Sequence, residues 1–367
     1  MKLVVDENIP LADELFSRFG RIEKMAGRDI QNIDVRDADA LLVRSVTRVN
    51  EKLLRDSTVK FVGTCTIGTD HLDKAYLQAA DIAYSSAPGC NAWGVVQYDI
   101  AAMNILGLLK TGTRVGIVGC GNVGGRLYRA ITALGYRCIC YDPFLSREAI
   151  PDLSDWEALY ECDIVCVHTP LTHDGAYPTY HMLGAQFFKS LKTHAVLLNA
   201  GRGEVIDNAA LKQYLKYENN NAIKVVLDVW ENEPAIDPEL TELVELATPH
   251  IAGYSFEGKT NGSLMIYRAL ASFLGLAENS IETTVREVKK TAYGEPETLN
   301  VRNLHQAVAA SYDIRRDDAE LRSVLTHLPE SFDRLRKNYP VRREFSHFKV
   351  SSSVGEEIAA LGFERDG

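Results

Sequence analysis

Short apolar runs at residues 3–5, 40–43, 60–63 and 82–84 alternate with polar stretches that carry helix or turn signals. That rhythm predicts parallel strands joined by helical crossovers. A long amphipathic helix is expected over about 92–110, ended by Thr111-Gly112. A second series then begins, with strand candidates at 114–118, 137–141, 164–168, 195–199, 224–228 and 245–248. Helical segments at 122–134, 156–161, 184–191 and 208–217 separate most of them. Six short, nearly continuous apolar strands suit a sheet buried on both faces, and a doubly wound fold is the simplest way to make one. The pattern is helical from Gly262 to about 277, polar over 278–296, and Arg-rich and mixed from there on, with a strand-like run at 348–351. The polar stretch reads as a boundary and the remainder as a small third domain.

Composition narrows this picture. A chain of 367 residues is too long for one average domain, so two or three are expected. The net charge of -10 argues against nucleic acid or an anionic membrane as a partner. The longest apolar stretch, around 100–109, is about half of the ~20 residues that a membrane helix needs. The start Met1-Lys2-Leu3-Val4-Val5-Asp6 meets an acid too early for a signal peptide, so a cytoplasmic protein is expected. None of the seven cysteines forms a C-x-x-C pair and several lie in apolar runs, which reads as buried thiols, with no metal site expected.

The strongest local signal is Gly119-Cys120-Gly121-Asn122-Val123-Gly124, directly after a strand candidate and opening a helix. Gly119 permits the tight turn, Gly121 lets backbone approach a pyrophosphate, and Gly124 lets helix pack on strand. Asp142 ends the next strand, eighteen residues beyond Gly124. A carboxylate there accepts hydrogen bonds from ribose hydroxyls and repels a 2′-phosphate, so NAD is expected rather than NADP.

Three further motifs fall at carboxyl ends of later strands, where open α/β sheets bind ligands. They are Asn199-Ala200-Gly201-Arg202-Gly203, Asp228-Val229-Trp230-Glu231-Asn232-Glu233-Pro234 and Thr248-Pro249-His250-Ile251-Ala252-Gly253. Oxidising a hydroxy acid needs a planar fork for the carboxylate, a role open to Arg202. It needs a base for the hydroxyl proton, for which His250 is the candidate. It also gains from a carboxylate that orients the imidazole, and Glu233 can serve.

The order of these motifs, with His168-Thr169-Pro170 between them, resembles the D-isomer-specific 2-hydroxyacid dehydrogenases. One branch of that family shares further segments with this chain: Leu42-Val43-Arg44-Ser45-Val46-Thr47, Gly68-Thr69-Asp70-His71, Ser86-Ala87-Pro88-Gly89-Cys90-Asn91-Ala92, Tyr312-Asp313-Ile314-Arg315-Arg316-Asp317-Asp318 and Leu335-Arg336-Lys337-Asn338-Tyr339. The resemblance implies Arg202, Glu233 and His250 as the active-site residues. It implies cofactor contacts at Asn122, Val123, Asp142, Thr169, Ala200, Arg202, Asp228 and Gly253, and substrate contacts at Ser45, Thr66 and Tyr254. Gly201, Cys65 and Ile67 depart from the residues usual at their positions, which bears on pocket shape rather than on the reacting groups. The implied fold is α/β, with a Rossmann NAD lobe, a flavodoxin-like substrate lobe, both doubly wound, and a small α+β C-terminal dimerisation domain. Residues 1–92 with 257–284 would form the substrate domain, 93–256 the NAD domain, and 285–367 the tail that builds a homodimer. The substrate would be a small phosphorylated hydroxy acid. A 3-phosphoglycerate dehydrogenase and a dinucleotide-sensing binding protein on the same fold stand as alternatives.

In the tail, Leu321, Val324, Leu325 and Leu328 have roughly helical spacing. Arg315, Arg316, Arg336, Lys337, Arg342 and Arg343 are expected either to pair with Asp317, Asp318 and Glu344 or to approach the substrate phosphate alongside Arg44. The Rossmann lobe is read as complete without this tail.

Overall fold

In the computed structural model of the chain, which describes residues 1–366, five parallel strands form the sheet of a first unit made of residues 1–91 and 256–295. They are β1 (Lys2–Asp6), β2 (Arg21–Met25), β3 (Ala40–Val43), β4 (Phe61–Thr64) and β5 (Ala83–Ser85), in the order β2-β1-β3-β4-β5. This is the flavodoxin-like order. Strand β2 is absent from the sequence-based expectation. It lies at the sheet edge, where Arg21 and Lys24 face solvent, so its pattern lacks the continuous apolar run of the inner strands. The helix Phe256–Phe273 packs on β4 so closely that a Cβ on Gly63 would fall 2.4 Å from Ile266 Cγ2. The segment read as a polar boundary is in fact the helix Glu278–Tyr293, whose buried stripe Ile281, Val285 and Val288 joins the same core. Three apolar residues among so many charges suffice because the helix covers only one surface.

The second unit comprises residues 92–255 and 296–367. Its main sheet contains β6 (Arg114–Val118), β7 (Arg137–Tyr141), β8 (Ile164–Val167), β9 (Val196–Asn199), β10 (Lys224–Leu227) and β11 (Leu246–Ala247). All six are parallel, in the order β11-β10-β9-β8-β6-β7. The order reverses between β6 and β8, which opens a crevice at their carboxyl ends. The helix before the sheet spans Ala92–Ile105 and stops earlier than expected, before Gly107 at φ +68° turns the chain.

The tail adds a small parallel sheet, β12 (Glu297–Leu299), β13 (Phe348–Val350) and β14 (Glu364–Arg365), and the helices Leu304–Ser311, Ile314–Ser323 and Glu330–Lys337. The apolar positions 321–328 do not form one helix. It ends at Ser323 and a 3₁₀ turn follows at Leu325–His327. Leu304, Val308, Ile314, Phe345 and Phe348 share one buried cluster with Val95, Met103, Val115 and Leu127. Leu321 and Phe332 join a second cluster with Leu240 and Ala247. The expectation that the Rossmann lobe is complete without the tail is therefore corrected. So small a segment buries too little surface alone, and it shares the core of its larger neighbour. Its ion pairs also differ from expectation: Arg315 pairs with Asp313 at 2.8 Å and Asp318 with Arg322 at 2.9 Å. All seven cysteines are buried. Among the described residues no helix is long and apolar enough to cross a membrane.

Candidate active site

The turn Gly119–Val123 leads from β6 into the helix Gly124–Ala133. Gly119 has φ +85°, and a Cβ on Gly124 would lie 2.0 Å from the Gly119 carbonyl oxygen, so the helix can start here only on glycine. Around Gly121 no described atom lies within 4 Å of where a Cβ would be. This side of the turn is open, with Asn122 exposed and Val123 half-buried beside it. The first N–H groups of a helix have no intrahelical acceptor, and the helix dipole makes this end attractive to anions. Asp142, half-buried at the end of β7, accepts from the Cys120 N–H at 2.9 Å and the Phe144 N–H at 3.0 Å. It braces the glycine turn, and each oxygen keeps a second lone pair for a ribose hydroxyl. Thr169 follows β8 across the crevice, and its buried Oγ1 has no partner among the described residues. An open glycine, a helix N-terminus, a carboxylate and an orphaned hydroxyl fit a dinucleotide.

Asn199, fully buried at the end of β9, shapes the next turn. Its Oδ1 accepts the Gly201 N–H at 3.0 Å and its Nδ2 donates to the Arg202 carbonyl at 2.9 Å. Ala200 is half-buried between them, and Arg202 Nη1 donates to the Gly201 carbonyl at 2.8 Å. A Cβ on Gly203 would fall 2.1 Å from the Trp230 carbonyl group, so this turn lies directly on the segment that carries Glu233.

Asp228, almost fully buried after β10, holds the third segment. Its carboxylate accepts from Thr248 Oγ1 at 2.7 Å and from the Ile251 and Ala252 N–H groups at 2.8 and 2.9 Å. Its carbonyl accepts the His250 N–H at 2.7 Å. His250 sits at φ +56°, held by these neighbours. Glu233 Oε1 accepts the Trp230 N–H at 2.9 Å, and Oε2 lies 2.7 Å from His250 Nδ1. A carboxylate there fixes the proton on Nδ1 and leaves the Nε2 lone pair as an acceptor. Arg202, Glu233 and His250 thus come together on one cavity of about 470 Å³, which Tyr180, His181 and Glu231 also line.

Of the residues expected at the substrate, Ser45 is exposed after β3 and Thr66 half-buried after the adjacent β4. Thr66 Oγ1 lies 2.8 Å from Thr64 Oγ1. Tyr254 is half-buried and meets the Tyr339 ring edge-on at 6.0 Å, and Gly253 precedes it half-exposed. Sequence reasoning assigned no role to Asn199, Thr248 or His181. Asn199 carries a usable signal, since Asn before a short Gly-containing turn commonly bonds the backbone two residues on. His181, hydrogen-bonded to Glu231 and donating its N–H to the Glu204 carbonyl at 2.8 Å, carries none.

Comparison with known proteins agrees with this geometry. Residues 91–252 match the D-isomer specific 2-hydroxyacid dehydrogenase NAD binding domain, and residues 286–362 match a domain of unknown function, DUF3410. The chain is 61% identical to erythronate-4-phosphate dehydrogenase of Teredinibacter turnerae, over 100% of this chain and 99% of that one. It is 56% identical to the enzyme of the same name from Saccharophagus degradans, over 96% and 95%. Among solved structures, NAD-bound 3-phosphoglycerate dehydrogenase of Entamoeba histolytica superimposes with TM-score 0.61 at 24% identity, covering 75% of this chain and 95% of that one. D-lactate dehydrogenase of Aquifex aeolicus gives 0.60 at 20% identity, covering 78% and 98%. These two share the fold, and the relatives at 61% and 56% identity settle the rest: this chain belongs to the erythronate-4-phosphate dehydrogenases, with the NAD-binding domain of the D-isomer specific 2-hydroxyacid dehydrogenases.

Proposed function

We infer that the chain oxidises 4-phospho-D-erythronate to (R)-3-hydroxy-2-oxo-4-phosphooxybutanoate with NAD, in pyridoxal 5′-phosphate biosynthesis. The observation that carries this reading is the 2.7 Å contact of His250 with Glu233 on the cavity that also holds Arg202. The relatives named above supply the substrate. Bound NAD supplies the acceptor for the C2 hydrogen and its electron pair. Arg202 grips the substrate carboxylate and the C2 oxygen with its planar fork. His250 Nε2 takes the C2 hydroxyl proton, and Glu233 steadies the resulting imidazolium. Gly119, Gly121, Asn122, Val123, Gly124, Asp142, Thr169, Ala200, Asp228 and Gly253 form the dinucleotide site, and Ser45, Thr66 and Tyr254 the substrate contacts. For Asp228 the buried, thrice-bonded carboxylate favours acting by holding the segment 250–252.

The same reading makes 1–92 with 257–284 the substrate domain, 93–256 the NAD domain and 285–367 the dimerisation domain of a cytoplasmic homodimer. The dimer is what the resemblance of the tail segments Tyr312–Asp318 and Leu335–Tyr339 implies. The test is NADH formation with 4-phospho-D-erythronate, 3-phosphoglycerate and D-lactate. The first should exceed the others in kcat/KM by about tenfold or more, the usual worth of pocket contacts to a missing group. No turnover of 4-phospho-D-erythronate, or a preference for 3-phosphoglycerate, would overturn the assignment. Sedimentation at micromolar concentration should give a dimer.

A further inference from the structure

The segment that follows His250 is held on two sides. From the sheet, Asp228 takes the N–H groups of Ile251 and Ala252. From the tail, Arg342 Nη2 donates to the Ala252 carbonyl and approaches the Gly94 carbonyl at 3.4 Å. Ser255 Oγ donates to Glu344 Oε1 at 2.6 Å, and Ser255 and Arg342 form a parallel bridge. Between these anchors, Tyr254 lies against Tyr339, and the Arg336 guanidinium sits 5.6 Å from its ring centre. Every residue from Ile251 to Ser255 except Gly253 is thus bonded to, or stacked by, one of these two supports.

The cation that holds the Ala252 carbonyl is costly to bury. Arg342 is 6% exposed, and its Nε and Nη1 are buried with no oxygen partner among the described residues. They are accommodated by ring faces instead, with the guanidinium carbon 4.4 Å from the Tyr312 centroid and 5.9 Å from that of Tyr339. Both tyrosine hydroxyls donate to Asp317, at 2.6 and 2.8 Å, which places a buried carboxylate in the same cluster. Burial pushes that carboxyl above its ordinary range, against the two hydrogen bonds. A hydrophobic side chain of similar size would fill this core at less cost. It would not hold the Ala252 carbonyl.

We propose that the tail is a working part of the active site, in which Arg342 and Glu344 are positioning residues that clamp the segment 251–255 and so fix His250 and Tyr254. The clamp acts within one chain, separately from any subunit interface, and gives a role to the domain of unknown function matched at 286–362. It rests on the reading of His250 as proton acceptor. Loosening the segment lets His250 drift from Glu233, so both the rate and the protonation behaviour of the imidazole change.

The experiment compares wild type, Arg342→Met, Arg342→Lys and Ser255→Ala, with kcat measured across pH. Arg342→Met should lose about 10- to 100-fold in kcat, the scale of a misplaced catalytic group. Its acidic limb should move relative to wild type, whereas a merely structural role would lower kcat uniformly in proportion to the folded fraction. Arg342→Lys, which keeps the charge and can still donate to the Ala252 carbonyl, should recover part of the rate. Ser255→Ala, which leaves the core cation intact, should move the limb in the same direction by less, and it carries the test if Arg342→Met does not fold. A folded variant with the wild-type profile overturns the clamp. If wild type itself fails to oxidise 4-phospho-D-erythronate, the functional reading falls alone. The clamp is then read from the His250 ring-proton NMR titration, identified by its loss in His250→Gln. An unchanged titration in Arg342→Met and Ser255→Ala overturns it there too.

Discussion

Two of the histidine–carboxylate pairs in the second unit, each with its histidine beyond the carboxyl end of a strand, differ far more in surroundings than in chemistry. His250 and Glu233 meet at 2.7 Å with side chains 33% and 19% exposed, on a cavity. His168 Nε2 and Asp99 Oδ2 meet at 3.0 Å with side chains 1% and 0% exposed. The second contact is oblique, since neither group completes an aligned hydrogen bond. Burial raises the Asp99 carboxyl above its ordinary value, although the neighbouring His168 works against the shift. On the function proposed above, an imidazole beside a carboxylate is a proton acceptor where the pair lines a cavity and a framework contact where both groups are sealed. Access, rather than residue type, separates them.

Substitutions can break that distinction, beginning with the largest effect. His250→Gln should lose about 10²–10⁴ in kcat while NAD binding and thermal midpoint hold, since an amide cannot take the hydroxyl proton. If His168→Gln lost as much turnover per folded molecule, the contrast would collapse. Arg202→Lys addresses the cavity side. A charged hydrogen bond is worth about 1.5–3 kcal/mol, so kcat/KM should drop by about 10- to 100-fold. Recovery of most of the activity by lysine would mean a simple point charge rather than a fork. Glu233→Gln should be milder, with kcat down by about tenfold, because the imidazolium formed in turnover loses its counter-charge while the ring keeps a hydrogen-bond partner. An unchanged kcat would show that the pair is not coupled in turnover.

Asp99→Asn should give the smallest kinetic change, with kcat per folded molecule intact and stability reduced by about 1–3 kcal/mol. The pH dependence of that stability has a definite sign. A carboxyl raised on folding holds its proton when the unfolded chain has released it, so stability falls as pH climbs from the ordinary value of 3.8 through the raised one. Denaturant titrations should show this decline in wild type and not in Asp99→Asn, so that it stands out in the difference between the two. A difference that is flat across acidic pH would mean that Asp99 titrates normally.

What could be read in advance follows the same division between local and remote causes. The glycine turn and Asp142 were legible because their demands are local: a positive φ, a helix start and a carboxylate on the next strand. The inner strands declared themselves by burial on both faces, while the edge strand β2, with Arg21 and Lys24 in solvent, did not. Arg202, Glu233 and His250 were legible as residue types in order. That Asn199 and Asp228 hold their segments depends on turns made only after folding. His168 was visible as part of a motif, but its partner Asp99 lies sixty-nine residues earlier on a helix and carries no signal of its own. The tail was misjudged for the same reason, since the contacts that merge it with the Rossmann core span hundreds of residues.

That span has a consequence for the order in which the molecule is made. Gly94 and Arg342 are separated by 248 positions, and Gln97 donates to the Arg343 carbonyl across 246. During synthesis the Rossmann strands leave the ribosome long before the residues that close their core and support the segment after His250. Domains generally fold as units from the amino terminus as they emerge. Here the nascent sheet must wait without Leu304, Val308, Ile314, Phe345 and Phe348, which complete its buried cluster. Until Arg342 and its neighbours follow, the segment after His250 lacks its hold from the tail.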